Sequence, residues 1–279
     1  PTTVCAAEIA MTWGAFPWHL SCKEYSHSAV RADGFGLDEA AGSSLVWTLR
    51  VPMDRWSKWA TYAYWGLTLL VLAYGSSRVI QAPVDQVAGP IQKLIYLHLP
   101  VAANAFLAAL VVCIASVGYI GGRRKVWDDL AHAAATVTTL NGSVLLLTGV
   151  FWAKVAWGQW WVWSPRLSFS LILWLLYVVY LAVRLRIHSP QKRAVVGAVY
   201  GIVAFLDVPM LYLSMKLLPD VHPTVTGLTR EMLPTLWIWF AGVTLLSCGI
   251  MGARFALGRA QSGEVKTLPG EPGLGGMAC

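Results

Sequence analysis

Apolar residues fall into six long stretches that are separated by shorter polar segments. A helix that crosses a membrane needs about 20 mostly apolar residues, and each stretch is of that order. The six stretches run near 59–79, 99–121, 130–152, 167–186, 194–214 and 234–257. The pattern therefore predicts an all-α polytopic membrane protein with six transmembrane helices.

The segments on either side lack this pattern. Residues 1–50 mix Gly, Ala, Ser, Trp and scattered charges without any period, and we expect them to form a poorly ordered N-terminal extension. Residues 261–279 are rich in Gly and Pro and are predicted to form a disordered C-terminal tail. The six-helix membrane domain then covers residues 51–260. The first residues show no basic region followed by an apolar stretch, so we expect no cleaved signal peptide.

Composition supports the membrane interpretation. The chain is 57% hydrophobic and 13% charged, whereas a soluble domain carries about 25% charged residues. A net charge of +7 in a soluble protein would suggest nucleic acid as a partner, but basic cytoplasmic loops explain it in a membrane protein. We therefore expect a lipid bilayer around the chain and no nucleic acid. The five cysteines form no C-x-x-C pair, which argues against a cysteine-bound metal.

The distribution of basic residues predicts the orientation. With the six spans in place, one side of the membrane holds 15 of the 21 Lys and Arg residues. Because cytoplasmic loops are enriched in Lys and Arg, both termini are predicted to be cytoplasmic. Three loops then face outward, near residues 80–98, 153–166 and 215–233. The cytoplasmic loops are short and no Walker A sequence occurs, so we do not expect this chain to hydrolyse ATP.

The outward loops carry the residues with candidate chemistry. His98 ends the first loop, His222 lies in the third, and a tryptophan-rich segment at about 152–168 lies between them and ends with Arg166. Five tryptophans fall within that segment, namely Trp152, Trp157, Trp160, Trp161 and Trp163. Neutral imidazole is a common ligand of iron, copper and zinc, and two axial histidines are one arrangement that holds haem iron.

The other residue types in these loops also suit haem. Indole rings offer flat, partly polar faces to a flat macrocycle, and an arginine can pair with a propionate. Less specific interpretations stay open at this point. Tryptophans also form interfacial belts in membrane proteins of every function, a histidine can end a helix, and Arg166 can extend to lipid headgroups.

The tryptophan segment resembles that of a known family. "WGQWWVWSPRL" at 157–167 is similar to the WWD segment of the cytochrome c maturation protein C (haem exporter protein C) family of haem-handling membrane proteins. "YLHLP" at 96–100 and "DVPMLYLSMKLLPDVHP" at 207–223 are similar to the two histidine motifs of that family. The resemblance implies that His98 and His222 are axial ligands of haem iron. It implies a haem-contacting role for Trp157, Gly158, Trp160, Trp161, Trp163, Ser164 and Arg166.

The resemblance also implies a function. A member of this family would bind haem b non-covalently and transiently at the outer face of the bacterial inner membrane, rather than in the mitochondrial inner membrane. It would hand the haem to a haem chaperone of the protein E type during maturation of c-type cytochromes. ABC-type maturation subunits and a small membrane subunit would be further partners. Such a protein is a holding site and not an enzyme.

Three alternatives remain. A cytochrome c haem lyase of the WWD type would be closer to an enzyme, but such relatives are usually longer and have more spans. A six-span transporter of an unrelated solute would need polar residues along several helices. A structural membrane subunit with an aromatic belt would not need its outer histidines.

Two positions depart from the family pattern. Ser164 stands where the family has an aspartate after the third closely spaced tryptophan. Asp207 lies within the fifth predicted span, two residues before Pro209, where the family more often has a neutral amide. A carboxylate inside the membrane is a candidate functional residue, although a hydrogen-bonded residue beside a proline kink is the alternative.

Overall fold

Seven α-helices and one short 3-10 helix make up the part of the chain that the computed structural model describes, residues 55–84, 89–219 and 230–267. The 3-10 helix is Pro90–Leu94. The α-helices are α1 (Arg55–Gln81), α2 (Ile95–Gly122), α3 (Lys125–Trp157), α4 (Pro165–Arg186), α5 (Pro190–Phe205), α6 (Asp207–Leu217) and α7 (Met232–Thr267). These residues contain no β-strand, as the prediction of an all-α fold requires.

Five segments within the described residues are long and apolar enough to cross a membrane. They are Pro90–Gly122, Lys125–Trp157, Pro165–Arg186, Pro190–Ser214 and Met232–Ala260. They coincide with the last five predicted spans, so the chain is a multi-pass membrane protein. Helix α1 has 27 residues and covers the first predicted span, but it is less apolar than these five. Six spans and two cytoplasmic termini therefore stay predictions.

The outer surfaces of the helices are apolar. Leu70 on α1, Ile114 on α2 and Leu147 on α3 are each more than half exposed. A soluble monomer rarely exposes apolar surface on this scale. In a bilayer these side chains would contact lipid, which agrees with the membrane assignment.

Small residues form the interior where α2 and α3 pack together. Ala105 and Ala109 on α2, and Ala134 and Ala135 on α3, are fully buried. Small side chains allow helix backbones to approach closely, which is how helices associate in membranes. Tyr177 of α4 belongs to one cluster of buried residues with Ala109, Ala134 and Ala135. This core packs α2, α3 and α4 together, and α3 and α4 are the helices on either side of the tryptophan segment.

The fifth predicted span is broken into two helices. Helix α5 ends at Phe205 and α6 begins at Asp207. Pro209 has no N–H group with which to bond the carbonyl of Phe205 four residues earlier, so the helix cannot continue regularly there. Asp207 is only 8% exposed, and its Oδ2 has no hydrogen-bond partner among the described residues.

The last helix continues beyond the predicted membrane domain. Helix α7 ends at Thr267, seven residues into the segment 261–279 that was predicted to be a tail. The sequence "QSGEVKT" contains Gln, Glu and Lys, which favour helix, and the next proline is Pro269. Helix α7 thus extends beyond the predicted boundary at residue 260, and the disordered C-terminal tail stays a prediction. Residues 268–279 and the predicted extension 1–50 lie outside the described residues.

Candidate functional site

The predicted outward segment at 152–168 is mostly helical. Helix α3 continues to Trp157 and α4 begins at Pro165, which leaves residues 158–164 as the connection; we call it the tryptophan loop. Trp157 therefore lies on α3, contrary to the prediction of an outward loop at 153–166, and Trp152, the last residue of the third predicted span, lies on the same helix. The physical reason is that "VFWAKVAW" at 150–157 contains no Gly or Pro to end the helix.

Helix α3 ends at a glycine in the left-handed conformation. Gly158 has φ 74° and ψ −1°, a region that residues with a side chain occupy at a cost. Its N–H donates to the carbonyl of Lys154 at 3.1 Å, and the Lys154 ammonium donates to the Gly158 carbonyl at 3.0 Å. These bonds satisfy carbonyls at the helix end and set the direction in which the tryptophan loop leaves α3.

The tryptophan loop presents indole rings in two different environments. Trp160 and Trp163 are 55% and 77% exposed, and the Lys154 ammonium lies 5.5 Å from the centre of the Trp160 ring. Trp161 is half-buried, and its Nε1 is buried with no hydrogen-bond partner among the described residues. The ring centres of Trp161 and Trp163 are 5.7 Å apart in an edge-to-face arrangement. The loop thus combines accessible aromatic faces with one buried indole donor.

Ser164 ends the tryptophan loop and begins α4. It is 5% exposed, and its hydroxyl accepts a hydrogen bond from the Leu167 N–H at 3.4 Å. This is the N-cap position, with Pro165 as the first helical residue. Serine and aspartate are both preferred N-caps, so a serine can replace the aspartate of the family pattern and still begin the helix. Arg166 follows in the first turn, half-buried.

His98 lies on a helix and not at the end of a loop as predicted. Helix α2 begins three residues earlier, at Ile95, directly after the 3-10 helix. The half-buried imidazole faces α3, where its Nδ1 lies 2.8 Å from the Thr148 hydroxyl oxygen. The hydropathy pattern missed this start because the 3-10 helix directly before α2 carries the polar residues Gln92 and Lys93.

His98 and the tryptophan loop belong to the same end of the bundle. The first turns of α2 lie beside the last turns of α3, as the contact between His98 and Thr148 shows. Thr148 lies nine residues before Trp157, which is about 14 Å along the helix at about 1.5 Å per residue. Trp152 follows Thr148 by four residues and therefore lies on the same face of α3. The rings of Trp152 and Trp157 meet edge-to-face with their centres 5.2 Å apart.

Two residues in this region were missed by reasoning from the sequence. Thr148 carried no motif, and Trp152 was counted among the tryptophans but not among the haem-contacting residues. The four-residue spacing places Trp152 on the face of α3 that carries Thr148, but nothing in the sequence indicates that this face meets His98. His222 lies outside the described residues, so its pairing with His98 stays a prediction.

A comparison with protein families identifies the chain. The model of the family described as heme exporter protein C matches residues 47–263, which is more than half of the sequence. The chain belongs to the heme exporter protein C family. This confirms the family that the tryptophan segment at 157–167 predicted.

Individual relatives agree with the family match. A protein of Bradyrhizobium diazoefficiens named heme exporter protein C is 32% identical over 158 residues, covering 56% of this chain and 59% of the relative. The protein of the same name from Escherichia coli K12 is 31% identical over 163 residues, covering 56% and 63%. A putative ccmC-like mitochondrial protein of cytochrome c biosynthesis from Marchantia polymorpha is 30% identical over 172 residues, covering 60% and 73%. The chain thus matches about three fifths of the length of the two bacterial relatives.

Proposed function

We propose that this chain holds haem at the outer face of the bacterial inner membrane and passes it to a haem chaperone during maturation of c-type cytochromes. The observation that carries the proposal is the position of His98. Its imidazole lies at the same end of the α2–α3 pair as the tryptophan loop and is oriented by a hydrogen bond to Thr148. A candidate iron ligand and a set of aromatic faces therefore share one end of the molecule.

The residues of this end fit haem as a bound cargo. His98 would bind the iron on one side, and His222 is the predicted ligand on the other. The exposed rings of Trp160 and Trp163 would contact the macrocycle, and the buried Nε1 of Trp161 could donate to a polar group of haem. Arg166 in the first turn of α4 would pair with a propionate. Binding would be non-covalent, because an imidazole that coordinates the iron and indole rings that stack on the macrocycle form no covalent bond to the porphyrin.

The names of the relatives support the same function. Two bacterial relatives are named heme exporter protein C, and the Marchantia relative is named for cytochrome c biosynthesis. A protein that exports haem for this purpose has to release it, so we propose a holding site whose haem stays accessible to a chaperone. The ABC-type maturation subunits and a small membrane subunit are the further partners that we propose.

Haem binding is tested by absorption spectroscopy on the chain purified from haem-replete cells. We expect a spectrum of six-coordinate haem that is lost or altered in His98→Ala and in His222→Ala. His188→Ala is the matched control, because His188 is exposed and lies between α4 and α5, at the opposite end of α4. If both test variants keep the haem content and spectrum of the parent, the axial assignment is wrong.

The predicted orientation has a separate test. In a chain without its own cysteines, Gln159→Cys would place a thiol in the tryptophan loop, where Gln159 is exposed, and Arg186→Cys would place one at the exposed opposite end of α4. A membrane-impermeant maleimide added to intact spheroplasts should label the first variant and not the second. The reverse labelling would mean that the tryptophan loop faces the cytoplasm.

A further inference from the structure

One hydrogen bond joins the proposed iron ligand to the neighbouring helix. His98 on α2 and Thr148 on α3 are 50 residues apart in sequence, and the His98 Nδ1 lies 2.8 Å from the Thr148 Oγ1. Thr148 is 7% exposed, so water has little access to this bond. The imidazole also lies against the bare backbone of α3, because its Cε1 is 3.4 Å from the position that a Cβ of Gly149 would take. The contact with Thr148 and the close approach to the backbone at Gly149 therefore both place the ring against α3.

The direction of this hydrogen bond follows from where the hydroxyl proton goes. Thr148 Oγ1 lies 2.8 Å from the carbonyl oxygen of Val144 and 3.0 Å from that of Leu145. A hydroxyl has one proton to donate, and threonine inside a helix commonly donates it to the carbonyl four residues earlier. The Thr148 oxygen then acts as the acceptor toward His98. The imidazole has to be the donor, so its proton is on Nδ1.

This proton position decides which nitrogen can bind a metal. A neutral imidazole carries one proton, so the tautomer with a proton on Nδ1 has its lone pair on Nε2. Metal-binding histidines usually donate their other ring N–H to a neighbouring oxygen, which fixes both the tautomer and the orientation of the ring. If the hydroxyl instead donated to Nδ1, the proton of the neutral ring would be on Nε2 and would block that nitrogen.

We propose that Thr148 is a positioning residue of the haem site: it holds His98 as the Nδ1–H tautomer and so directs the Nε2 lone pair toward haem iron. This proposal rests on the proposed function of the chain, because it takes His98 as an axial ligand. Thr148 itself touches neither iron nor haem in this account. Its effect passes through the orientation and basicity of the imidazole.

The first test needs no haem. Nitrogen-15 NMR of the purified, haem-free chain labelled in histidine distinguishes a protonated from an unprotonated ring nitrogen, and His98→Gln identifies the His98 signals. In alkaline buffer we expect a protonated Nδ1 and an unprotonated Nε2 in the parent chain. Thr148→Val should shift the His98 signals toward a mixture of tautomers, and Thr148→Ser should retain the parent pattern. A His98 ring protonated on Nε2 in the parent would overturn the proposal.

The second test measures haem affinity by titration. Removal of such a supporting hydrogen bond commonly weakens metal binding by about 10–100-fold, so we expect Thr148→Val to weaken haem binding by at least about tenfold and Thr148→Ser to restore it. Thr138→Val is the matched control. Thr138 is 1% exposed, lies on the same helix, and donates to the carbonyl of Ala134 at 3.0 Å without contacting His98.

The two proposals fail in different ways. If His98→Ala keeps the parent haem spectrum, the axial role of His98 in the proposed function is wrong whatever the tautomer is. If His98→Ala loses the spectrum but Thr148→Val matches Thr138→Val in affinity and leaves the His98 signals unchanged, only the role of Thr148 is wrong. The measurement of the tautomer on the parent chain stays decisive even if Thr148→Val does not fold.

Discussion

Arg184 on α4 donates two hydrogen bonds from its guanidinium group to the carboxylate of Asp128 on α3, across 2.6 and 3.0 Å. Both residues are 6% exposed. Because both charges are removed from water, either one buried without its partner would destabilise the folded protein far more than the pair does. This ion pair therefore joins the two helices that carry the tryptophan loop, at the end of the bundle opposite to it.

Arg184→Met is expected to destabilise the protein by about 3–5 kcal/mol, because it leaves the buried carboxylate of Asp128 without its partner. The measurement is chemical unfolding in detergent. Arg186→Met is the control, since Arg186 lies in the same last turn of α4 but is exposed. A combined Arg184→Met and Asp128→Leu variant should lose less stability than Arg184→Met alone. Equal unfolding of the two arginine variants would contradict this account.

Gly197 on α5 provides space for the same arginine. A Cβ at position 197 would lie 2.5 Å from Nη1 of Arg184, and the guanidinium cannot move away without breaking its bonds to Asp128. Gly197→Ala is expected to lower the free energy of unfolding by about 1–3 kcal/mol, as overpacking commonly does. Gly252→Ala is the control: Gly252 is exposed on α7 with no atom near its missing Cβ, and alanine there should favour the helix. A neutral Gly197→Ala would mean that Arg184 has another position to occupy.

Gly158→Ala is expected to cost about 1–2 kcal/mol, because alanine is strained in the left-handed conformation. The cost is purely one of backbone conformation, since no atom lies within 4 Å of the position of its Cβ. Gly158→Asn should cost less, as asparagine tolerates this conformation. Gly121→Ala has the same open surroundings without a positive φ and should be nearly neutral. The comparison is made by thermal unfolding; a Gly121→Ala loss as large as that of Gly158→Ala would contradict it.

Much of the fold could be predicted because apolar stretches of about 20 residues have few alternatives to membrane helices. Five of the six predicted stretches coincide with segments long and apolar enough to cross a membrane. The break at Leu206 was not predicted, although Pro209 was noted, because membrane helices often accommodate a proline through neighbouring contacts. Where α3 ends depends on Gly158 adopting a positive φ, and hydropathy carries no information about that.

The candidate site was only partly predictable for a different reason. The tryptophan segment is recognised from its sequence alone, so Trp160, Trp161 and Trp163 could be named directly as candidate haem contacts. Thr148 could not, because a threonine in an apolar helix usually bonds its own backbone and nothing nearby in sequence indicates a partner. The contact with His98 exists only once α2 and α3 pack together.

Ser164 gives the last prediction, on the position where the sequence departs from its family. Its hydroxyl caps α4 by accepting from the Leu167 N–H. Ser164→Ala should cost about 1 kcal/mol, whereas Ser164→Asp should keep the cap, because aspartate is as good an N-cap and its charge suits a helix N-terminus. The measurements are thermal unfolding and haem content of the purified chain.

Ser168→Ala is the control for this pair, one turn further along α4, where the serine side chain caps nothing. We expect its stability and haem content to match the parent. If Ser164→Asp instead loses stability and haem to the extent of Ser164→Ala or beyond, the buried surroundings of position 164 accept a hydroxyl but not a carboxylate. In that case the tryptophan loop of this chain requires a serine hydroxyl at position 164, and the departure from the family pattern changes the contacts that fix the loop.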